Sequence, residues 1–302
     1  MTLPPRCSRS SEARAEPLVG SASTVTRFLL VEDPGPWGVD ALRDARMPPE
    51  VKSQLGERAR LHRIRVLLIR RHGRWRPQGL RCFAASVSPA DSWIESTTLP
   101  SAGELLDLDL AALGERRSLG LPSYDESLFL VCTHGRHDPC CAERGRPLAR
   151  ALATSHDNRT WECSHIGGDR FAGNLVILPQ GLYYGRVDAD SGPRIARAHE
   201  QGQLDLQYLR GRVTQSFVAQ AADWQLRSRL RQTGIDDVRL LREVTAAGIT
   251  EAVFAVRDGS TWSVRMRTTK ATPVTLTCTA TRLNAAPRFE LLGIEPVPGG
   301  DL

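Results

Sequence analysis

Short apolar runs of strand length, separated by turn-forming residues, recur through the first 120 positions. They predict three buried strands, at Arg27–Glu32, Ile64–Ile69 and Leu80–Ala85. Pro49–Leu61 has the spacing of a helix with one apolar face, and Pro89–Gly120 predicts a connector that ends in a short helix. Because strands that alternate with helices indicate parallel βαβ units, residues 21–120 predict an N-terminal α/β region.

A sharper pattern covers residues 121–190. Ser127–Val131 is a continuous apolar run, which predicts a buried strand that ends at Cys132. A helix introduced by Gly145 and Pro147 follows, because proline fits the first helical turn. The remaining predicted strands are Thr160–Cys163, Asn174–Leu178 and the hairpin partner Leu182–Val187. A βαβ unit followed by a β-hairpin is the core arrangement of a thioredoxin-like fold.

The two ends of the chain differ in character. Residues 1–20 are rich in Pro, Ser, Arg and Glu and predict a disordered tail. Residues 191–302 predict a small C-terminal α+β region, with an amphipathic helix over Ser216–Gln232. Its four predicted strands lie around Val238–Val244, Ala252–Val256, Trp262–Met266 and Val274–Cys278. The fold class predicted for the whole chain is therefore α/β (α+β).

Composition narrows the range of functions. The 302 residues carry 40 basic and 34 acidic side chains, a mild net charge of +6 that is spread along the chain, so we expect no nucleic-acid partner. The N-terminus lacks the apolar segment of a secretory signal, and the apolar runs are too short to span a bilayer. We therefore expect a cytoplasmic protein without a membrane partner, whose seven cysteines do not form a disulfide framework.

Candidate metal ligands concentrate in two segments. Val131–Cys141 and Cys163–Asp169 together contain four of the seven cysteines and three of the seven histidines. Thiolate and imidazole ligands suit zinc or an iron–sulfur cluster, and ligand sites in open α/β sheets lie beyond the carboxyl ends of strands. We predict a metal or cluster site there. Cys7 falls in the tail, while Cys82 and Cys278 are interpreted as small buried hydrophobic residues.

The motifs resemble those of a known family. They are Cys132-x8-Cys141, Ser164–Gly168 and the hairpin sequence Gly173–Gly185. This combination resembles the sucrase/ferredoxin-like family and the thioredoxin-like 2Fe-2S ferredoxins. The resemblance implies a thioredoxin-like ferredoxin domain that holds a 2Fe-2S cluster. It also implies an electron carrier rather than a catalyst, with an unidentified redox partner protein, and we predict no sucrase activity.

The resemblance also implies a ligand set. By position, the ligands are Cys132, Cys141, His165 and Asp169. A carboxylate is an uncommon ligand for iron already bonded to sulfide. Because Cys163 lies two residues before His165 and would face the same side of a strand, it competes with Asp169 for the fourth position.

Other residues of these loops have supporting roles in this interpretation. Gly167 and Gly168 let the backbone approach the cofactor and offer N–H donors. His134 and His137 are interpreted as residues that hydrogen-bond within the loop rather than as ligands.

Two alternative functions remain open. A structural zinc site built from the same cysteines and histidine would make the protein a non-redox interaction module. The third possibility is a thiol-disulfide oxidoreductase that uses Cys140 and Cys141 or Cys132, although the chain lacks the Cys-x-x-Cys motif of that chemistry.

Overall fold

The N-terminal region forms a unit of four strands and a covering helix. The structure, a computed structural model, describes residues 6–73 and 79–298 of the chain. The elements up to residue 120 are α1 (Cys7–Ala13), β1 (Arg27–Glu32), α2 (Pro49–Leu61), β2 (Arg65–Arg70), β3 (Leu80–Ser86), β4 (Trp93–Leu99), a 3₁₀ turn (Ala102–Leu106) and α3 (Leu110–Gly114). Strands β1 and β2 are parallel, β3 is antiparallel to β1, and β4 is antiparallel to β3.

The central region repeats this arrangement. Its elements are β5 (Leu128–Cys132), α4 (Pro139–Ser155), a 3₁₀ turn (Asp157–Arg159), β6 (Thr160–Cys163), a 3₁₀ turn (Asp169–Phe171), β7 (Leu175–Leu178) and β8 (Leu182–Tyr184). Strand β5 is parallel to β6 and antiparallel to β7, and β8 is antiparallel to β7. The predicted βαβ unit with a β-hairpin is therefore confirmed, and the first unit has the same strand order.

The C-terminal region adds a second sheet. Its elements are α5 (Ser191–Glu200), β9 (Leu209–Arg212), α6 (Phe217–Leu230), β10 (Val238–Ala246), β11 (Ile249–Val256), β12 (Thr261–Lys270) and β13 (Pro287–Pro296). Strand β9 extends the large sheet beside β8, whereas β10 to β13 form a separate antiparallel sheet covered by α6. Within the described residues, no helix is both long and apolar enough to cross a membrane.

The start of α4 differs from the prediction. The helix begins at Pro139, not near Gly145, because Asp138 caps it by accepting a 2.9 Å hydrogen bond from the Cys140 N–H. Pro139 is the proline of the first turn, and Pro147 lies inside the helix. Both Cys140 and Cys141 therefore lie on the first turn of α4 rather than in a loop.

Two predicted irregular segments are ordered. Trp93–Leu99 is a strand within the predicted connector, because its β-branched and aromatic residues pair with β3. Cys7–Ala13 is a helix within the predicted disordered tail, while residues 1–5 lie outside the described part of the chain. The composition of residues 1–20 indicated too little apolar surface for an ordered segment. Ion pairs nevertheless link this helix and its flanking residues to the central unit. They are Arg6–Glu143, Arg144–Glu12 and Arg170–Glu16.

The predicted strand at Val274–Cys278 is wrong. The fourth strand of the C-terminal sheet is β13, and Val274 forms only an isolated bridge with Asn284. The backbone N–H of Cys278 instead donates a 2.7 Å hydrogen bond to the Asp138 carboxylate, so this loop is directed toward α4 rather than toward a neighbouring strand.

The two similar units join edge to edge and, together with β9, make one nine-stranded sheet in the described part of the chain. Strand β2 pairs antiparallel with β6, and the overlap covers only their carboxyl ends, at Ile69–Cys163 and Arg70–Glu162. This stagger brings the loops that follow the strands of both units to the middle of the molecule.

The buried carboxylate of Glu162 stabilises the contact between β2 and β6. Glu162 on β6 accepts hydrogen bonds from Arg70 at 2.7 Å and from Thr133 at 2.7 Å, and it lies 2.8 Å from His72 Nδ1. Burial acts to raise the pKa of Glu162, but Arg70 and the hydrogen bonds outweigh it and lower that pKa. The ionised carboxylate thus ties the first unit to the loop that follows Cys132.

Replacement of this charge should weaken the junction. We expect Glu162→Gln to lower the free energy of unfolding by about 2 kcal/mol, because Arg70 loses its buried charged partner. Urea denaturation followed by circular dichroism measures the change. Glu115→Gln removes an exposed pair with Arg117 and should change stability by less than about 0.5 kcal/mol. Equal effects of the two substitutions would contradict the role assigned to Glu162.

Candidate metal centre

Three soft donors converge where the central unit meets the first. Cys132 is the last residue of β5, Cys141 lies on the first turn of α4, and His165 follows β6. One ligand atom of each, the two Sγ atoms and a ring nitrogen, lies within 4.8 Å of the others. The structure thus brings together three of the residues predicted as ligands, although 33 positions separate the first from the last.

A second donor group overlaps the first through His165. It consists of His137, His165 and Asp169, again with ligand atoms within 4.8 Å of one another. Asp169 Oδ1 lies 3.3 Å from Cys141 Sγ, so the carboxylate connects the two groups. The rings of His137 and His165 stack with their centroids 3.7 Å apart.

The orientation of His165 fits a bound metal. Its buried Nδ1 lies 3.0 Å from Asp169 Oδ1 without hydrogen-bond geometry, so Asp169 is an ion-pair partner for the protonated ring only. When the ring is neutral, this buried nitrogen lacks a hydrogen-bond partner, and a bound ion or cluster would supply one. Two cysteines, an imidazole and a carboxylate that face a common space form a donor set suited to zinc or to iron–sulfur chemistry.

Electrostatics favours the ionised forms of Cys132 and Asp169 that ligands need, but it favours the protonated form of His165. The hydrogen bond from Cys141 and the contact with His165 hold the pKa of the Cys132 thiol well below its usual range, against the effect of burial. Burial acts to lower the pKa of His165, but the contacts with Asp169 and Cys132 outweigh it and raise that pKa to about 9. The same contact with His165 outweighs burial and lowers the pKa of the Asp169 carboxyl. Metal binding would therefore displace a proton from His165.

Cys163 lies outside the group of converging donors. It is fully buried, and its Sγ is not among the donor atoms that lie within 4.8 Å of one another, even though Cys163 is the strand neighbour of Cys132. Its side chain belongs to the same hydrophobic cluster as Cys132 and Cys141, and burial raises the pKa of its thiol well above its usual range. The structure places Asp169, and not Cys163, beside the other donors.

The two glycines of the loop fit against a buried arginine. Gly167 and Gly168 both have positive φ angles, of 91° and 83°, which glycine adopts without strain. Arg210 donates to the Gly167 carbonyl at 2.9 Å and to Asn174 Oδ1 at 2.8 Å. A Cβ at Gly168 would overlap the Arg210 guanidinium. Gly168 is therefore required for packing against Arg210.

Arg210 was not predicted from the sequence. It comes from β9, only 2% of its surface is exposed, and burial lowers its pKa to about 10. It places a buried positive charge behind the loop that carries His165 and Asp169. Because arginines occur along the whole chain, nothing in the sequence around Arg210 indicates that this one is buried.

The two histidines of the loop between β5 and α4 have different contacts. His134 is a hydrogen-bonding residue, as predicted, because its Nε2 lies 2.6 Å from the Gly38 carbonyl and its Nδ1 accepts from the His165 N–H. His137 instead takes part in the second donor group. A cleft of about 390 Å³ lies beside this loop and is lined by both units, through Trp37 and Arg70 from the first and through His134 from the second.

Comparison with known proteins identifies a similar family. The model of the sucrase/ferredoxin-like family matches residues 18–216. The protein named Altered inheritance of mitochondria protein 32, from Meyerozyma guilliermondii, is 33% identical over 72 residues, which cover 20% of this chain and 26% of that protein. The chain thus matches about a quarter of the length of this curated relative.

A solved structure aligns with a smaller part of the chain than the family model does. It is a cysteine-to-serine variant of the thioredoxin-like [2Fe-2S] ferredoxin from Aquifex aeolicus, with 16% sequence identity and a TM-score of 0.25. The alignment covers 28% of this chain and 97% of the ferredoxin chain.

Close packing of α4 against β5 positions Cys132 and Cys141. A Cβ at Gly145 would overlap the carbonyl oxygen of Cys132, which is backbone and cannot turn away. We expect Gly145→Ala to lower the free energy of unfolding by about 3 kcal/mol and to reduce the metal content, because the helix must move away from the strand. Urea denaturation and metal analysis measure the two effects.

A second helical glycine provides the control. Gly56 lies inside α2, where a Cβ would make only an ordinary 3.6 Å contact with Leu42. Gly56→Ala should leave the metal content unchanged and should stabilise the protein by up to about 1 kcal/mol. Normal metal content in Gly145→Ala would show that contact with the Cys132 carbonyl does not position the ligands.

Proposed function

Because the chain belongs to the sucrase/ferredoxin-like family, we propose that it binds a 2Fe-2S cluster and transfers single electrons to and from a partner protein. The convergence of Cys132, Cys141 and His165 carries the proposal. Those three residues would hold the cluster with Asp169 as the fourth ligand. When bound, such a cluster supplies one-electron redox chemistry, with a potential that imidazole ligands raise relative to an all-thiolate set.

The spread of the donors supports a cluster over a single ion. The donor atoms form two overlapping groups that share His165, one with both thiols and one with the candidate ligand Asp169 and its neighbour His137. A single tetrahedral zinc ion uses four donors around one point. Two groups joined by a shared residue correspond better to a cofactor with two metal atoms.

The exposure of the site supports electron exchange with another protein. Cys132 and Cys141 are each 1% exposed, whereas the side chains of His165 and His137 are 23% and 37% exposed. The stacked imidazoles therefore connect the buried thiols to the surface. A partner that docks over these two rings would come closest to the cofactor there.

The two alternatives predict different properties. A structural zinc site would leave the protein colourless and would not require donors that reach the surface. A thiol-disulfide oxidoreductase needs a partially exposed reactive thiolate, but Cys132, Cys140 and Cys141 are all buried. Both arrangements suit the observed donors less well than a cluster does.

Removal of either thiol should abolish cluster binding. We expect the full chain to contain two iron atoms, to absorb visible light that dithionite bleaches, and to give an EPR signal when reduced. Cys132→Ser and Cys141→Ser should each lose the iron and the colour, because each removes a thiolate ligand. Iron analysis and visible absorption measure the loss.

A buried cysteine of the first unit serves as the control. Cys82→Ser changes a thiol that is also 1% exposed but lies in the core of the other unit, so it should keep its iron and colour. Iron-free wild-type protein with zinc bound at Cys132 and Cys141 would overturn the proposal.

Substitution also separates the candidates for the fourth ligand. We expect Asp169→Ala to reduce the iron content and Asp169→His to restore it, because histidine supplies a nitrogen donor at the same position. Cys163→Ser should keep its iron, because the Cys163 Sγ is not among the converging donor atoms. Iron content and the nitrogen couplings in the EPR spectrum distinguish these cases. Iron loss in Cys163→Ser with normal iron in Asp169→Ala would reverse the assignment.

A further inference from the structure

A second cluster of thiols includes Cys140, the residue directly before Cys141 of the candidate metal centre. Cys7, Cys140, Cys278 and Asp138 each offer a ligand atom within 4.8 Å of the others. They come from α1, from the first turn of α4 and its cap, and from the loop between β12 and β13. Cys7, Cys140 and Asp138 are buried and Cys278 is half-buried.

The distances within this cluster suit one tetrahedral ion. Cys140 Sγ lies 3.6 Å from Cys7 Sγ and 3.4 Å from Cys278 Sγ. Cys7 Sγ lies 3.6 Å from Asp138 Oδ2. In a tetrahedral zinc site with Zn–S bonds of about 2.3 Å, sulfur atoms are about 3.8 Å apart. The donors therefore need to move outward by only a few tenths of an ångström.

The surroundings are those of a site for an anionic ligand set. Cys140 Sγ accepts a hydrogen bond from Ser8 Oγ at 3.3 Å, and Cys278 Sγ accepts one from the Cys7 N–H at 3.4 Å. Hydrogen bonds of this kind orient thiolate ligands and disperse their charge. The Asp138 carboxylate is itself held by the N–H groups of Cys140 and Cys278, at 2.9 and 2.7 Å.

We propose that Cys7, Cys140, Cys278 and Asp138 bind a structural Zn²⁺ ion. Soft thiolates with one carboxylate are a donor set that zinc accepts in tetrahedral geometry. Binding releases the thiol protons to solvent and leaves the oxidation state of every group unchanged. The proposal does not depend on the 2Fe-2S cluster, because the two donor sets share no residue.

Such an ion would fix α1 and the loop between β12 and β13 to the central unit. Cys7 lies in the N-terminal segment and Cys278 lies beyond the third strand of the C-terminal sheet, whereas Cys140 precedes Cys141 directly. One Zn²⁺ would thus join three distant segments next to the first turn of α4. The ion would be structural, since no solvent-facing donor is needed to complete the set.

Two alternative states of these thiols would exclude the ion. Three cysteines that serve only as small buried hydrophobic residues would bind no metal. A disulfide between Cys140 and either neighbour would leave one thiol free and would remove two of the thiolate donors.

Metal analysis of the full chain tests the proposal. We expect one zinc per wild-type chain in addition to iron. Cys7→Ser and Cys278→Ser should lose the zinc and keep the iron, whereas Cys132→Ser should lose the iron and keep the zinc. Cys278→His should retain zinc, because imidazole is also a zinc ligand. Cys82→Ser should keep both metals.

A measurement on the wild-type chain avoids the risk of misfolded variants. Added Zn²⁺ should protect Cys7, Cys140 and Cys278 in metal-free protein from alkylation, detected by peptide mass spectrometry, with no matching protection of Cys82. Three results would each overturn the proposal: absence of zinc before and after its addition, zinc retained in both Cys7→Ser and Cys278→Ser, or a disulfide among the three thiols. Iron loss in Cys132→Ser without zinc loss separates this test from that of the proposed cluster.

Discussion

The geometry of the first turn of α4 determines how this protein arranges its cysteines. Consecutive residues on an α-helix point about 100° apart. Because Asp138 caps the helix and Pro139 begins it, Cys140 and Cys141 are both helical and face different neighbours. Cys141 faces Cys132 and Asp169, and Cys140 faces Cys7 and Cys278. In an extended loop, the same two residues would not be held in these directions.

The stagger between β2 and β6 explains why the first unit belongs to the site. It places the loop after β1 against the loop after β5, where Gly38 accepts from His134 and the Trp37 ring meets its edge. His134 in turn accepts the N–H of His165. A candidate ligand is therefore oriented through a chain of contacts that begins in the other unit. The first unit repeats the arrangement of the second, yet its main contribution here is to support the second unit's loops.

The sequence pattern predicted the candidate site correctly where the candidate ligands directly follow a buried strand. The apolar run before Cys132 predicted strand β5, and the order of the apolar runs predicted the βαβ-hairpin arrangement. The motifs at Cys132, Cys141 and His165–Asp169 predicted which residues lie near one another. The start of α4 was misplaced because Gly145 and Pro147 resemble a helix start, while the true start uses an aspartate within a loop-like sequence. Arg210, Cys7 and Cys278 could not be predicted. Their importance comes from long-range contacts that leave no periodicity or spacing in the chain.

The two cysteine clusters differ in the groups that surround them, and this difference separates their proposed roles. The one built on Cys141 extends through His165 to the 37% exposed side chain of His137 and has the buried charge of Arg210 behind its loop. The one built on Cys140 lies between α1 and the loop that carries the half-buried Cys278, and two backbone N–H groups orient its carboxylate. A cofactor that exchanges electrons needs a short route to a partner, whereas an ion that only joins segments does not. One helix start can therefore support both, because it directs Cys141 toward the histidines that reach the surface and Cys140 toward α1 and the loop between β12 and β13.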